Sequence, residues 1–133
     1  MIIVLDTNVI VSAALKQGSP PDIVLQRVLR GELDLCYDGR ILGEYRHVML
    51  REKFGFDPQD VEKLLQAVEQ LGIPVNCEPL EDTLPDPDDN KFLEAAIAAG
   101  ADYLITGNVR HYPEPLRVGV VVQTPRSFLD LHR

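Results

Sequence analysis

The chain alternates between short apolar segments and longer amphipathic ones. Short aliphatic runs rich in β-branched residues predict strands buried on both faces, whereas apolar residues spaced three and four apart predict helices. Strands are predicted at residues 2–5, 33–37, 73–77, 103–105 and 118–122. Helices are predicted between residues 19 and 31, 38 and 53, 57 and 71, 89 and 100, and at 127–131. This alternation predicts an α/β fold, with a mainly parallel sheet covered by helices on both faces.

The predicted elements follow one another without an interruption. No Pro- or Ser-rich linker divides the chain, and it contains no internal repeat or low-complexity segment. We therefore expect residues 1–133 to form a single domain, with residues 15–21 and 110–117 as its less regular loops.

Two helix starts have the same layout. The segments DPQD at residues 57–60 and DPDD at 86–89 each place an Asp cap before a proline and an acid at the third helical position. Helix initiation therefore explains Asp86 and Asp89 without any other function. It does not explain Asp88, or three carboxylates within four residues. The helix dipole offsets only about 0.3–1 kcal/mol per acid, so a divalent cation is the functional alternative.

Several polar residues are predicted to meet at the carboxyl edge of the sheet, the edge where parallel strands end. Asp6 directly follows the strand at 2–5, and Asn108 follows the strand at 103–105. The segment 86–89 begins the helix that leads into the second of these strands. A crossover helix runs back against the strands, so its start lies over the same edge. Open α/β sheets bind their ligands there, and we expect these groups to converge.

Asp6 also has a purely structural interpretation. An Asp after a strand commonly caps the next helix, which here would begin near Asn8. Thr7 and Asn8 are accordingly either turn-forming residues or groups that orient Asp6 by hydrogen bonds. The sequence does not separate these alternatives.

Glu44 lies at the border of the apolar stripe of its predicted helix, where a carboxylate is partly desolvated. In the structural interpretation it pairs with Arg40 or Arg51, or reaches water along the helix surface. In the functional interpretation it belongs to the group of acids at the carboxyl edge.

Composition excludes several classes of protein. The 133 residues are 45% hydrophobic, enough for one core, and no apolar run approaches the roughly 18 residues of a membrane span. No basic segment precedes an apolar one as in a secretory signal, and two cysteines are too few for a disulfide scaffold. We therefore expect a cytoplasmic protein with reduced thiols. The net charge of −8 argues against nonspecific binding of nucleic acid by bulk charge.

The acids Asp6, Glu44, Asp88 and Asp89 offer only oxygen ligands, which suit a hard cation such as Mg²⁺ or Mn²⁺. Zinc is not indicated, because the three histidines show no ligand spacing among themselves or with cysteine. Glycine-rich phosphate-binding loops are missing as well. A bound cation would cancel part of the local negative charge, so the acidity does not exclude contact with one phosphate at a time.

Four segments resemble the PIN-domain family, and in particular its small prokaryotic branch of toxin components. They are IVLDTNVIVSA at residues 3–13, ILGEYRHVM at 41–49, DPDDNKFLEAAIAAGADYLITGN at 86–108 and VRHY at 109–112. DTN alone is a weak signal. The four segments in this order are jointly specific, and they extend over nearly the whole chain.

The resemblance implies a three-layer α/β/α sandwich around a mainly parallel sheet, and metal-dependent endoribonuclease activity. It also implies that Asp6, Glu44 and Asp89 form the acidic site, with Asp89 as the family's third acid. The sequence departs from the fuller pattern at Asn108, where Asp is common, and at His111, where another acid is common. An Asn can bind a metal ion through its carbonyl oxygen but adds no charge, which argues against a second tightly held ion.

In the mechanism that the resemblance implies, Asp6 and Asp89 hold Mg²⁺ or Mn²⁺, and Glu44 binds a metal-held water or accepts its proton. Single-stranded RNA is hydrolysed to 5′-phosphate and 3′-hydroxyl ends. Further candidate metal ligands are Asp88 and Asn108. Candidate substrate-binding or orienting residues are Thr7, Asn8, Thr106, Arg110 and His111. Candidate phosphate contacts, which are otherwise ordinary solvated charges, are Arg40, Arg46, Arg51, Lys53, Arg110 and Arg117.

By family analogy, the expected partners are single-stranded RNA, a cognate antitoxin protein and a second copy of the chain in a homodimer, with no membrane contact. One alternative, motivated by Asn108, is a catalytically weak PIN-like domain that binds RNA or protein. Another is a phosphoaspartate enzyme or receiver domain. It has little support, because Asn8 stands where such hydrolases need a second carboxylate, and a receiver's paired early acids and late Lys are missing.

Overall fold

Five parallel strands form the centre of the structure. The structure is a computed structural model, and it describes residues 1–133. The strands are β1 (Ile2–Leu5), β2 (Asp34–Tyr37), β3 (Ile73–Pro74), β4 (Tyr103–Ile105) and β5 (Val122–Gln123). Their order across the sheet is β3-β2-β1-β4-β5, and every neighbouring pair is parallel. The predicted α/β class and parallel sheet are confirmed.

Six helices cover the sheet in two layers. They are α1 (Thr7–Leu15), α2 (Pro20–Leu29), α3 (Gly39–Met49), α4 (Pro58–Leu71), α5 (Asn90–Ala99) and α6 (Pro125–Leu131). The helix α5 packs against β1, β2 and β4, whereas α2 packs against α1, α4 and α6. The chain reverses its direction across the sheet after β3, and parallel crossovers are right-handed, so α5 lies on the face opposite to α2 and α4. None of these helices has the length and apolar character needed to cross a membrane.

The helix starts follow the local chemistry of the sequence. At the start of α2 the Ser19 side chain accepts a hydrogen bond from the Asp22 backbone N–H, and at the start of α4 the Asp57 side chain accepts one from Gln59 N–H. Such caps satisfy backbone donors that have no partner within the helix. Both helix starts therefore lie where the capping pattern predicts them.

The last strand is shorter than predicted. A strand at 118–122 is wrong for its first four residues, because Val118 and Gly119 have positive φ angles of +53° and +82°. Two consecutive residues with positive φ form a turn and cannot continue an extended strand. The apolar run at 118–122 therefore contributes only its final residue to β5.

Three other elements differ from the prediction. The helix predicted over 38–53 ends at Met49, and a separate 3₁₀ turn follows at Glu52–Phe54. The strand predicted at 73–77 is reduced to the two residues of β3. The helix α1 begins directly after Asp6, earlier than the start near Asn8. These deviations lie at element boundaries, where local patterns are least decisive.

The centre of the sheet positions the candidate site. The β1 residues Ile3, Val4 and Leu5 have no exposed surface and belong to one cluster of 29 buried residues. From β1 the chain moves outward to β2 and β3, and then returns to β4 on the other side of β1. The strand order thus reverses between β1 and β4, where α/β sheets open a crevice at the carboxyl edge. Asp6 and Thr106 directly follow these two strands.

Candidate active site

Asp6 is held at the carboxyl edge by two side-chain donors. Its Oδ2 accepts hydrogen bonds from Thr106 Oγ1 at 2.9 Å and from Tyr112 OH at 3.0 Å. Asp6 occupies the N-cap position of α1, as the helix-cap interpretation expects, but its side chain makes no capping hydrogen bond there. Burial raises the pKa of Asp6, and the Glu44 carboxylate adds to that rise. The Asp6 side chain is thus a buried carboxylate that Thr106 and Tyr112 orient.

Asp89 reaches the same edge from the 3₁₀ turn Pro87–Asp89, which leads into α5. Its Oδ2 lies 3.1 Å from His111 Nδ1, and its side chain is mostly buried. Burial, together with the charges of Asp6 and Asp86, raises the pKa of Asp89 to about 6, although His111 opposes the rise. The fold therefore places Asp89 where the charges of Asp6 and Asp86 disfavour its own.

In metal-free buffer, Asp89→Asn is expected to stabilise the protein at pH 7.5 but not at pH 4. The folded pKa of about 6 exceeds the ordinary 3.8, so the folded protein binds this proton more tightly than the unfolded chain. This tighter proton binding contributes to the stability of the folded protein below pH 4, and the contribution is lost as the pH rises through 6. Asparagine carries no charge and avoids this loss, so at pH 7.5 the free energy of unfolding is expected to rise by about 1 kcal/mol and Tm by about 3–5 °C.

Thermal unfolding in EDTA at both pH values measures this difference. Asp86→Asn is the matched control, because Asp86 is exposed and its side chain accepts from Asp88 N–H, a bond that Asn can also accept. We expect the control to shift Tm less than Asp89→Asn at pH 7.5. Equal Tm values for the wild type and Asp89→Asn at pH 7.5 would contradict the unfavourable charge at Asp89.

Glu44 projects from α3 toward the two aspartates and is held by two contacts. Its Oε1 lies 2.8 Å from Lys91 Nζ, and its Oε2 accepts a hydrogen bond from Thr7 Oγ1. The alternative that pairs Glu44 with Arg40 or Arg51 is wrong, because Arg40 binds other carboxylates and the actual cation comes from α5. The Thr7 hydroxyl therefore binds Glu44 and not Asp6.

Asn8 and Thr106 connect the end of β1 to the end of β4. Asn8 Oδ1 accepts a hydrogen bond from Gly107 N–H at 2.9 Å, and Thr106 Oγ1 accepts one from Asn108 N–H at 3.0 Å. The Asn108 side chain is exposed and makes no hydrogen bond of its own within the protein. These bonds fix the backbone on both sides of the crevice.

The structure brings together most, but not all, of the residues singled out from the sequence. Asp88 is exposed and meets its neighbours only through its backbone, and the Arg110 side chain is exposed without an ion pair. Two residues that sequence reasoning missed are Tyr112 and Lys91. The available signals were the position of Lys91 two residues after Asp89 and that of Tyr112 directly after His111.

The pair of Asp6 and Asp89 fits a Mg²⁺ or Mn²⁺ ion. The Asp6 charge contributes to the raised pKa of Asp89, and a cation would relieve this repulsion. Mg²⁺ is commonly bound by one or two carboxylates, with water and substrate phosphate as its other ligands. No three His, Cys, Asp or Glu side chains are grouped closely enough to hold a metal ion together. The donor set therefore suits an ion held by two carboxylates.

Tyr112→Phe is expected to lower the affinity for Mn²⁺ by about 10-fold, because groups that orient a metal ligand typically contribute 10–100-fold. The substitution removes one of the two donors to Asp6 Oδ2 and keeps the buried ring. Calorimetric titration with Mn²⁺ measures the affinity. Tyr37→Phe is the control, since that hydroxyl donates to Glu69 O. Equal affinities of Tyr112→Phe and the wild type would show that Tyr112 does not position Asp6.

Comparisons with known proteins agree with this fold. A PIN-domain family model matches residues 2–110. No curated protein matches the sequence. The crystal structure of VapBC2 from Rickettsia felis, bound to a DNA fragment from its promoter, contains a chain that is 17% identical, with a TM-score of 0.64. A chain in the crystal structure of FitAcB from Neisseria gonorrhoeae is 19% identical, with a TM-score of 0.62. Each match covers 93% of this chain and 98% of the other.

The family match extends over most of the chain and includes the segments that carry Asp6, Glu44 and Asp89. Both solved structures share the overall fold of this chain. This chain belongs to the PIN-domain family.

Proposed function

We propose that this chain is an endoribonuclease that requires Mg²⁺ or Mn²⁺, cleaves single-stranded RNA and acts as the toxin component of a toxin–antitoxin pair. The meeting of the Asp6 and Asp89 carboxylates at the carboxyl edge carries the proposal. PIN-domain proteins are generally nucleases that need a divalent metal ion. The acids lie at an open edge of the sheet, which an unpaired strand reaches more easily than a double helix does.

Each residue of the site has a defined task in this proposal. Asp6 and Asp89 would hold the cation, with Asn108 as a further oxygen ligand beside them. When bound, the cation lowers the pKa of water and neutralises charge on the phosphoryl oxygens. Glu44 accepts the proton that the attacking water loses, since each of its oxygens keeps a lone pair beyond its bond to Lys91 or Thr7.

Lys91 and His111 have different tasks. Lys91 holds Glu44 in place through its ion pair, and the partly exposed His111 ring beside Asp89 contacts the phosphate next to the scissile bond. Thr106 and Tyr112 hold Asp6 in one orientation, so no rearrangement of that carboxylate is needed when substrate arrives. In-line attack by water leaves a 5′-phosphate and a 3′-hydroxyl.

The test is a cleavage assay on end-labelled RNA. We expect cleavage of a single-stranded RNA in Mg²⁺ or Mn²⁺, slower cleavage of the same sequence in a duplex, and no cleavage in EDTA. Excess Mg²⁺ restores activity, and the products carry 5′-phosphates. Cleavage that persists in EDTA would overturn the mechanism.

A second candidate function is a catalytically weak PIN domain that binds RNA or protein. The observation in its favour is Asn108, which adds no charge next to the Asp6–Asp89 pair. Binding of the RNA without cleavage in the same assay would favour this candidate.

The toxin assignment rests on the sequence resemblance to small prokaryotic toxin components. The fold shared with the chains of VapBC2 and FitAcB supports it. A cognate antitoxin, a homodimer and a cytoplasmic location belong to the same proposal.

A further inference from the structure

A cleft of about 340 Å³ opens beside the proposed catalytic acids, where the ends of β1, β4 and β5 meet. Its walls come from α1, α2, the loop after β4 and the start of α6. The residues that line it include Asn8, Ser12, Pro20, Asn108, Thr124 and Arg126. We call this space the amide cleft. Hydrogen bonds join the cleft to the site, because the Asn108 backbone N–H donates to Thr106 Oγ1, which in turn donates to Asp6 Oδ2.

The charge of the amide cleft differs from that of its surroundings. No carboxylate lines it, although the chain carries a net charge of −8. Its one charged lining residue is Arg126, whose exposed guanidinium makes no ion pair. An anion at the Asp6–Asp89 pair therefore meets an unneutralised positive charge on this side.

The groove on the other side of Glu44 has the opposite character. Three carboxylates line it, and each of its two cationic side chains is already bound to a carboxylate. The residues concerned are Glu44, Asp88, Glu94, Lys91 and Arg40. A polyanionic strand is therefore favoured to run from the acids into the amide cleft and not into this groove.

The hydrogen-bonding groups of the amide cleft suit a nucleotide. The bond from Gly107 N–H to Asn8 Oδ1 fixes the Asn8 amide, which leaves its Nδ2 as an oriented donor. The side-chain amide of Asn108 has no partner in the protein, so its Nδ2 remains a donor even where its oxygen serves as the further metal ligand. Side-chain amides recognise the edges of nucleobases, and the faces of Pro20 and its neighbours give an apolar wall. The volume lies at the small end of ligand pockets, which favours one nucleoside.

We propose that the amide cleft binds one nucleotide of single-stranded RNA next to the scissile phosphodiester. Asn8 and Asn108 contact the base, and Arg126 contacts the adjacent phosphate. This inference rests on the proposed function, because it assumes that the Asp6–Asp89 pair receives RNA. The wall formed by Thr124–Arg126 lies beyond residues 2–110, which match the family model. The phosphate contact made by Arg126 therefore lies outside the matched family segment, whereas the two base contacts lie within it.

The first test is binding of a short, fluorescein-labelled, 2′-O-methylated single-stranded RNA in Mg²⁺, followed by fluorescence anisotropy. Arg126→Ala is expected to weaken binding about 3-fold and Arg126→Glu about 10-fold. The slope of the logarithm of the binding constant against the logarithm of the salt concentration is expected to fall in magnitude by about one, as for the loss of one phosphate contact. Arg30→Glu is the matched control, since Arg30 is another exposed arginine without an ion pair, in a separate groove between α1 and α2. We expect its affinity to equal that of the wild type.

Equal losses in Arg126→Glu and Arg30→Glu would overturn the amide cleft as a binding site, as would a wild-type protein that does not bind the probe. Cleavage of unmodified RNA is measured in parallel. If Arg126→Glu binds the probe more weakly than Arg30→Glu does and the wild type cleaves no RNA, the cleft is supported and the proposed catalysis fails. If the wild type cleaves RNA and the two variants bind the probe equally well, the catalysis is supported and the cleft proposal fails.

Photocrosslinking locates the strand directly. An oligoribonucleotide with 4-thiouridine at successive positions is crosslinked to the wild-type protein, and the modified peptides are identified by mass spectrometry. We expect one position to crosslink to the segments around Asn8, Asn108 and Arg126. Crosslinks confined to the groove beside Asp88 would overturn the proposed path.

Discussion

Asp6→Asn and Asp89→Asn are each expected to lower the rate of RNA cleavage by at least about 100-fold, because each removes a carboxylate charge from a two-carboxylate metal site. Asparagine keeps the size of the side chain, and its carbonyl oxygen at position 6 can still accept from Thr106 and Tyr112. The loss therefore reports on charge and not on misfolding. Initial rates at saturating Mg²⁺, with thermal unfolding as a check of folding, measure it.

Asp86 provides the matched control for these two variants. Its side chain accepts from Asp88 N–H at the start of the 3₁₀ turn, and it is exposed. Asp86→Ala removes this cap and is expected to cost about 1 kcal/mol of stability while turnover is kept. An equal loss of turnover in Asp86→Ala at an unchanged melting temperature would contradict the division of roles between these acids. Near wild-type cleavage by Asp6→Asn would contradict the mechanism itself.

Gly72→Ala is expected to lower the free energy of unfolding by about 1–3 kcal/mol, the range typical of overpacked sites. A Cβ at Gly72 would lie 2.6 Å from the backbone oxygens of both Leu35 and Val68, and 2.8 Å from the Tyr37 ring. The two oxygens belong to β2 and to the end of α4, so relief requires movement of the sheet or the helix. Urea denaturation measures the change.

Gly43→Ala is the control for this substitution. Gly43 lies within α3, and a Cβ there would meet no atom within 4 Å. Replacing glycine by alanine inside a helix reduces the entropy lost on folding, so a gain of about 0.5–1 kcal/mol is expected. The same replacement of glycine by alanine is thus predicted to lower the free energy of unfolding at one site and to raise it at the other. A Gly72→Ala protein as stable as the wild type would show that the β2–α4 contact is looser than the structure indicates.

Much of the fold was predictable because its determinants are local. The alternation of buried strands and capped helices depends on residues within a few positions of each other, as at Ser19 and Asp57, whose side chains cap the predicted helices. The strand at 118–122 was mispredicted for a different reason. Its apolar residues fit a strand, but Val118 and Gly119 turn the chain, and composition does not reveal a positive φ at a valine.

The candidate site was predictable only in part. The positions of Asp6 and Asn108 after predicted strands, and of Asp89 at a predicted helix start, are local features that indicate the carboxyl edge. The partner of Glu44 was not predictable, because Lys91 lies 47 positions away along the chain and on another helix. For the same reason, the hydrogen bond from the Tyr112 hydroxyl to Asp6 was not predictable, because the two residues lie 106 positions apart along the chain.

The sequence by itself determined the α/β class, the helix caps, the set of acids and the family resemblance, since these depend on local periodicity, capping and motifs. Only the tertiary structure decided which groups meet. The strand order placed β4 beside β1, so Thr106 and Tyr112 bind Asp6. Burial and the charge of Asp6 then raised the pKa of Asp89 to about 6. The strength of the interaction between two charges depends on their distance and their burial, and neither follows from their positions along the chain.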